Sequence, residues 1–487
     1  LFRAWIFGYR VSIAFDVRRS SLVINLLPMN PLLHFTRRQF LQTSAVAASG
    51  VALGAGCATK PQSTASALSV AASAHAAGSD VIKVGMIGCG GRNAGAALEA
   101  LNADPGARLV AMCDIFADRV QGKLELIRAR KPNQVTVDRD HCYTGFDSYQ
   151  QVIAAADVVL IANAAKFHPL HLKAAIEAGK HVFVEKPHGI DPYGIKLVQA
   201  ACNLAREKRL SVQSGLHSRH HPGYIETIQR IHDGAIGDVV AIEENFLRAP
   251  YGIVNRPAGM SELEWQCYTQ YHFTWLSGDD VVQSLVHNVD RASWVMHDTA
   301  PVKCHGLGGR STMTEPVYGN VFDHHSVVYE FANKVRMYAF CRTTTGCYDE
   351  SSSIILGSKG RASVTACQIW GEQNWRWRGQ GDPYQLEHDK LFAAIRSGKP
   401  INAGDYMARS TMIGIMGQLS CYTGKEITWD HINASDFAYP PRPEECHDGM
   451  EPPVKPGANG SYPTQVPGRS DLTPQLFPPT KPAGQTS

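Results

Sequence analysis

None of the 12 cysteines forms a C-x-x-C pair, and they are scattered along the 487-residue chain. That pattern excludes a disulfide framework and the common zinc modules; a Cys such as Cys89 or Cys113, set in an apolar strand pattern, acts as a small apolar residue. Charge bias is also missing. Charged residues make up 19% and the net charge is +3, so neither nucleic acid nor an acidic partner is implied. The mildly apolar stretch from Ala45 to Gly56 is too short to cross a bilayer as a mature helix, which takes about 20 residues. Internal repeats are not apparent. His217, His220 and His221 stand close in sequence, but no acidic or cysteine ligand accompanies them at metal-binding spacing, and no metal is expected. What the chain does have is length for two or three domains with sizeable cores.

Residues 1–28 open on Leu1 and mix basic with apolar residues without helical periodicity, whereas Met29 opens a segment with a clear pattern. The expected start is therefore Met29, with residues 1–28 an over-extended gene start. Thr36-Arg37-Arg38-Gln39-Phe40-Leu41 followed by the small-residue apolar stretch resembles a twin-arginine export signal. Two maturation routes compete: cleavage after Ala74-His75-Ala76, or a lipoprotein-like site at Gly54-Ala55-Gly56-Cys57, in which Leu53 lies one place too early. Residues 58–80, rich in Ser, Ala and Thr, read as a flexible linker.

The strand-like run Val81 to Ile87 breaks into Gly88, Gly90 and Gly91 and then takes helical composition. This is the layout of a dinucleotide-binding turn, in which Gly88 permits the tight turn and Gly90 lets backbone approach a pyrophosphate at the helix N-terminus. Gly91, Arg92 and Asn93 complete the expected contact set. Asn93 occupies the place of the third glycine of G-x-G-x-x-G, so its side chain must find room, and Gly95 is expected to provide the close helix–strand packing instead. The next strand, Arg108 to Asp114, ends on an acid that suits a bidentate hydrogen bond to ribose hydroxyls and repels a 2′-phosphate, which favours NAD over NADP. Strands and helices then alternate through Asp157–Asn163, the helix from Lys166 to Ala178, and Lys180–Pro187, as in a parallel α/β sheet.

Glu185-Lys186-Pro187 ends that last strand, at the edge where ligands of parallel sheets sit. A glycine turn, an acid after the second strand and Glu-Lys-Pro together resemble the signature of the Gfo/Idh/MocA oxidoreductase family. The resemblance implies a Rossmann-type parallel sheet over residues 81–216 and an α+β substrate domain over 217–401 with an open, mostly antiparallel sheet. It also implies a C-terminal helix and strand (402–439) packing back on the first domain, Glu185 and Lys186 at the cofactor, and Lys186 on the substrate hydroxyl. The strand-like segments from Val239 to Leu356, read as coming without intervening helices apart from the one in Phe273 to Trp294, agree with the second domain. By the same resemblance that sheet builds a homo-oligomer face. Arg219 is expected at the substrate, and residues 440–487, dominated by Pro and Gly, as an extended or disordered arm.

In the segment from Phe273 to Trp294, Gln283, His287 and Asp290 fall about one turn apart on a helical pattern. The family carries D-x-x-x-H-x-x-D there, with the His as acid/base. His287 and Asp290 match, and Gln283 replaces the first acid. Asp290 is expected to orient the imidazole; Gln283, being neutral, can only hydrogen-bond it and would not raise its pKa. Trp370 to Trp377 offers indole faces either to a sugar or to the core.

The expected chemistry is hydride transfer between a sugar or cyclitol hydroxyl carbon and nicotinamide, with His287 as base and Lys186 stabilising the oxygen. Export through the twin-arginine route to the periplasm, where free NAD is not dependable, further implies a cofactor held tightly and recycled within each cycle. The alternatives are an NAD-dependent glycosidase working by transient oxidation, which needs the same Lys186 and His287, and a non-catalytic sugar-binding protein on the same fold.

Overall fold

The computed structural model describes residues 80–477 and, before them, the backbone of three strands. Two compact units are present, Leu1–Ser66 and Ala67–Ser487. The first holds β1 (Phe2–Ile6), β2 (Tyr9–Asp16) and β3 (Ser21–Leu27), an antiparallel sheet in that order. The export motif at Arg37-Arg38 and both maturation sites lie outside the described residues.

In the second unit, β4 (Ile82–Ile87), β5 (Ala107–Asp114), β6 (Cys142–Thr144), β7 (Val158–Ile161), β8 (His181–Val184) and β9 (Val212–Ser214) form a parallel sheet in the order β6-β5-β4-β7-β8-β9. The strand order reverses at β4, so a crevice opens beyond the C-terminal ends of β4, β5 and β7. β7 is buried along its whole length, as both-face coverage by helices requires. Those helices are α1 (Gly91–Ala103), α2 (Ala117–Arg130), α3 (Tyr149–Ala155), α4 (His168–Glu177) and α5 (Pro192–Glu207). Alanines on the inward face of α1, Ala94, Ala96, Ala97 and Ala100, are buried and let it lie close to the sheet.

The second sheet holds β10 (Val239–Arg248), β11 (Lys303–Gly309), β12 (His324–Glu330), β13 (Arg336–Thr343), β14 (Glu350–Gly357), β15 (Arg361–Ser363), β16 (Gln368–Trp370), β17 (Trp375–Arg376) and β18 (Ile427–Thr428). Its order is β17-β16-β15-β14-β10-β13-β12-β11-β18, antiparallel except for the parallel β10–β13 pair. The overall class is α/β with a second, mostly antiparallel domain. A π-helical turn (Val281–Leu285) runs into α6 (Val286–Val295). Helix α7 (Pro383–Ser397) packs on α1, and the almost wholly buried α8 (Gly404–Thr423) lies against β11, α5 and α6.

The structure decides between alternatives at two places. Residues 440–477 follow the extended-arm alternative, not the disordered one. Tyr439, Cys446, Tyr462, Leu472 and Leu476 are buried, Lys166 donates to the Tyr439 carbonyl, and Tyr193 donates to Glu444 at 2.6 Å. Proline and glycine lower regular structure, but enough aromatic and apolar residues are spaced among them to anchor the segment. The tryptophans of residues 370–377 follow the packing alternative and lie against other side chains. Arg361 covers Trp370, Arg230 covers Trp375, and His221 meets Trp377 edge-on. Among the described residues no helix is long and apolar enough to cross a membrane.

Candidate active site

The glycine turn sits at the C-terminal end of β4. Gly88 has φ +88°, and a Cβ there would lie 2.8 Å from the backbone of Asn163, so only glycine fits beside β7. Gly90 is the N-cap of α1, with no side-chain cap and no acid in the first turn; a Cβ on Gly90 or Gly91 would meet nothing within 4 Å. The first-turn N–H groups therefore point into open space that suits an anion.

Asn93 is fully buried, and it faces inward. Its Nδ2 donates to the carbonyls of Ile87 (2.8 Å), Gly88 (2.8 Å) and Leu160 (3.2 Å). Asn93 thus uses its side chain to staple the turn to β4 and β7, which leaves only its backbone N–H for a cofactor; the expectation that Gly95 would take over close packing fails, because a Cβ on Gly95 would meet the Arg92 guanidinium, not the sheet. Asn93→Gly restores the usual glycine yet removes the three side-chain hydrogen bonds that tie the turn to β4 and β7, so we expect it to lose about 2–3 kcal/mol of stability in urea unfolding. An unchanged or raised midpoint would contradict the staple.

Arg92, expected at the cofactor, is occupied by protein carboxylates. Its Nε donates to Glu185 at 2.6 Å and its Nη2 to Glu99 at 2.9 Å and Glu387 at 3.3 Å, while Tyr384 stacks at 4.5 Å from the guanidinium. Glu185 is nearly fully buried and also accepts from the Lys186 N–H at 3.0 Å. It lies so close to Gly215 that a Cβ there would come within 2.7 Å of the carboxyl.

Asp114 ends β5 beside the turn. Its Oδ2 accepts from the Cys89 N–H at 2.7 Å and its Oδ1 from the Phe116 N–H at 3.1 Å; burial raises its pKa. Arg119, which lines this corner, is held between Phe116 and Tyr268 and donates to the Tyr268 carbonyl at 3.0 Å. Gly88, Gly90, Asp114 and Asn163 share a crevice of about 670 Å³ with Arg119, Gln270 and Leu276.

A second cavity of about 860 Å³ adjoins it, the two sharing Ala162, Asn163 and Gln270. Lys186, Gln283, His287, His217, Tyr251 and Tyr384 line this second space. Lys186 donates from Nζ to the Gln283 carbonyl at 2.7 Å, while the Gln283 side chain donates to the Ser277 carbonyl at 3.0 Å. His287 Nδ1 has no hydrogen-bond partner, and the His217 ring meets it edge-on at 4.8 Å. Burial, and then the Lys186 ammonium, hold the His287 pKa well below the usual histidine value.

Asp290 and Arg219 do not reach this cavity. Arg219 donates to Asp290 through Nη2 at 2.8 Å and Nε at 3.1 Å and to Asp298 at 2.8 Å, under Trp294 and Tyr406. Ser410 donates to Asp290 at 2.8 Å. The i,i+3 spacing places Asp290 beside His287 on the helix, but the bidentate pull of Arg219 turns the carboxylate to the other side. Asp290 therefore does not orient His287, and Arg219 is not a substrate contact in this arrangement.

Asn163, His217 and Tyr384 are site residues that the motifs did not single out. Asn163 Oδ1 is buried without a partner, at the junction of the two cavities. Its position at the end of the strand next to the glycine turn was the available signal. Tyr384 lies on α7, far along the chain, and only the packing of α7 on α1 brings it here. Tyr251 stacks on Tyr271 at 4.1 Å between centroids and its hydroxyl lies 3.1 Å from Ser284, giving the second cavity an aromatic wall.

Residues 82–215 match the family model described as "Oxidoreductase family, NAD-binding Rossmann fold" (Gfo/Idh/MocA). Among curated proteins, inositol 2-dehydrogenase 3 of Saccharopolyspora erythraea is 30% identical over 45% of this chain and 54% of its own. A glycosyl hydrolase family 109 protein of the same organism is 27% identical over 42% of this chain and 44% of its own. The chain thus spans about half the length of these curated relatives. Two solved structures share the fold: myo-inositol 2-dehydrogenase from Lactobacillus plantarum (19% identity, 72% of this chain, 99% of that one, TM-score 0.55) and a levoglucosan dehydrogenase in complex with NADH and levoglucosan (16% identity, 71% and 99%, TM-score 0.56). Over residues 82–215 the chain is thus similar to the Gfo/Idh/MocA oxidoreductase family, and the solved structures share its fold.

Proposed function

We propose that this protein moves hydride between a hydroxyl-bearing carbon of a sugar-like or cyclitol substrate and a tightly held NAD. One observation carries the reading: Lys186 and His287 line a single cavity that joins the glycine-turn crevice through Asn163. The residues present fit the dinucleotide. The uncapped N-terminus of α1 suits the pyrophosphate, Asp114 suits the ribose hydroxyls, and the orphaned Asn163 Oδ1 offers an acceptor between them and the second cavity. When bound, the nicotinamide supplies the hydride acceptor.

The chain's own residues handle the proton. Lys186 keeps one N–H on the Gln283 carbonyl, and its remaining protons are free for the substrate oxygen, whose negative charge grows as the C–H bond breaks. His287, neutral at pH 7, accepts the hydroxyl proton. No carboxylate holds the resulting imidazolium, since Asp290 is taken by Arg219. The acid limb of kcat/KM is therefore set by a base whose pKa lies below the usual histidine value. Tyr271 provides a face on which sugar C–H surfaces stack, since Tyr251 is covered by Arg248 and Tyr271, and Tyr384 by Arg92 and His217.

NAD is preferred to NADP because Asp114 stands where a 2′-phosphate would go and Arg119 is engaged elsewhere. Asp114→Ala is expected to weaken NAD binding about 10–100-fold, the worth of hydrogen bonds to a charged group, and to narrow its advantage over NADP; equal affinities before and after the change in a fluorescence titration would contradict this. Export by the twin-arginine route to the periplasm, with lipid attachment at Cys57 as one maturation route, rests on the Arg37-Arg38 motif, and it accords with a cofactor loaded before export. Association of copies through the second sheet is supported by exposed apolar side chains there, with Leu307 77% and Val240 58% exposed.

A second reading, an NAD-dependent glycosidase, is favoured by the match to a glycosyl hydrolase family 109 protein. The assay that separates them presents polyols and aldoses on one side and aryl glycosides on the other. Absorbance of reduced nicotinamide with the former supports the oxidoreductase; aglycone release without net reduction supports the glycosidase. Neither signal would overturn both.

A further inference from the structure

We propose that Glu99, Glu387 and His388 form a binding site for a divalent transition-metal ion such as Zn²⁺ or Mn²⁺. Glu99 lies on α1, and Glu387 and His388 are consecutive on α7. One ligand atom from each residue lies within 4.8 Å of the others. Glu387 and His388 are fully buried. Both ring nitrogens of His388 lack hydrogen-bond partners, as does Glu387 Oε2, and His388 Nε2 is aimed at Glu99, 3.6 Å from its Oε2. Three buried polar atoms left unpaired in one place are unusual, and a single ion between the two helices satisfies two of them at once.

Arg92 does not remove the need for such an ion. It donates to both Glu99 oxygens, to Glu185 and to Glu387 Oε1, so Glu99 is shared with the ion, but Glu387 Oε2 and both His388 nitrogens stay without partners. Arg92 occupies Glu387 through Oε1 and leaves Oε2 for the metal. Arg92 also gives His388 nothing, since the imidazole has no hydrogen-bond partner. The donor set, two carboxylates and one imidazole, suits borderline and hard divalent ions and lacks the thiolates that softer ions favour. Ligands about 2.0–2.2 Å from zinc stand roughly 3.4 Å apart on a tetrahedral edge, close to the Glu99–His388 spacing. Glu99, partly exposed at 18% of its side chain, gives the entry path.

Such an ion would pin α1, whose N-terminus carries the glycine turn, to α7, which carries Tyr384. It would also fix Arg92 against Glu185, next to Lys186. The site stands apart from the substrate cavity and does not depend on the proposed reaction.

The test uses the full-length protein. After overnight chelator treatment and desalting, Zn²⁺ and Mn²⁺ are titrated separately by calorimetry, and bound metal is measured by mass spectrometry after dialysis. One retained equivalent per chain with a raised Tm is expected, and His388→Ala and Glu99→Gln should each bind about 10–100-fold more weakly. Glu99 is partly exposed, so Glu99→Gln keeps the test decisive where His388→Ala fails to fold. Substoichiometric retention in the wild type, or an equivalent that persists undiminished in Glu99→Gln, would overturn the assignment.

Discussion

Lys186→Ala lowers kcat/KM by about 10²–10³-fold, the loss seen when a donor to a developing oxyanion is removed. The ammonium is anchored on the Gln283 carbonyl of the π-helical turn, so its position relative to the substrate oxygen is set by backbone. Lys186→Arg should not rescue the loss, because a planar guanidinium carries its donors in a fixed fork and cannot keep that anchor while reaching the same oxygen. His287→Asn should cost less, on the order of 10²-fold, near the low end for general-base removal. The reason is the weak base: with its pKa held down by burial and by Lys186, the imidazole has little driving force to take the proton. Both variants should retain nucleotide as the wild type does, since neither residue belongs to the glycine-turn crevice. Steady-state kinetics on purified variants decide the matter, and full activity in both would sink the assignment.

Acid should destabilise the fold well before carboxylate titration alone would. Burial pushes the pKa of His171 down to about 3 and those of His220 and His272 to about 4, and all three side chains are buried. Each folded-state value lies below the unfolded one near 6.5, so the unfolded chain binds more protons. The stability they contribute is present above pH 6.5 and lost as pH falls toward 4. Moving from pH 7 to pH 5 removes about 2 kcal/mol for each of the three. Glu244 acts in the opposite sense. Burial raises it to about 7, and its protonation in the folded state returns about 2 kcal/mol over the same interval. For these four groups together the expectation is a loss of roughly 4 kcal/mol between pH 7 and pH 5, read as a lower urea midpoint. A midpoint unchanged over that range would show that these histidines protonate freely in the folded protein.

Where function depended on strand ends, the sequence was readable. Gly88, Asp114 and Glu185-Lys186 all stand at C-terminal ends of parallel strands, and alternation of apolar strands with helices placed them there. Helix faces were less readable. Periodicity put Gln283, His287 and Asp290 on one face, yet the π-helical turn changes the phase before α6 and Arg219 draws Asp290 away. Side chains that compete for the same partner cannot be ranked by spacing. Asn93 shows the same limit: its identity as a departure from glycine was plain, but its use as a donor to three carbonyls required the positions of β4 and β7. Contacts between distant segments, Tyr384 on Arg92 or the Tyr439–Leu476 segment on the first domain, left no local signal.

The reaction proposed for this site requires that the crevice at Gly88, Gly90 and Asp114 hold a nicotinamide dinucleotide through purification. The direct measurement is to denature the freshly purified full-length protein, remove the chain by ultrafiltration and identify released small molecules by mass spectrometry and ultraviolet absorbance. NAD or NADH, close to one per chain, is the expected result. Protein that releases no nucleotide, and that afterwards takes up NAD only weakly, would contradict it.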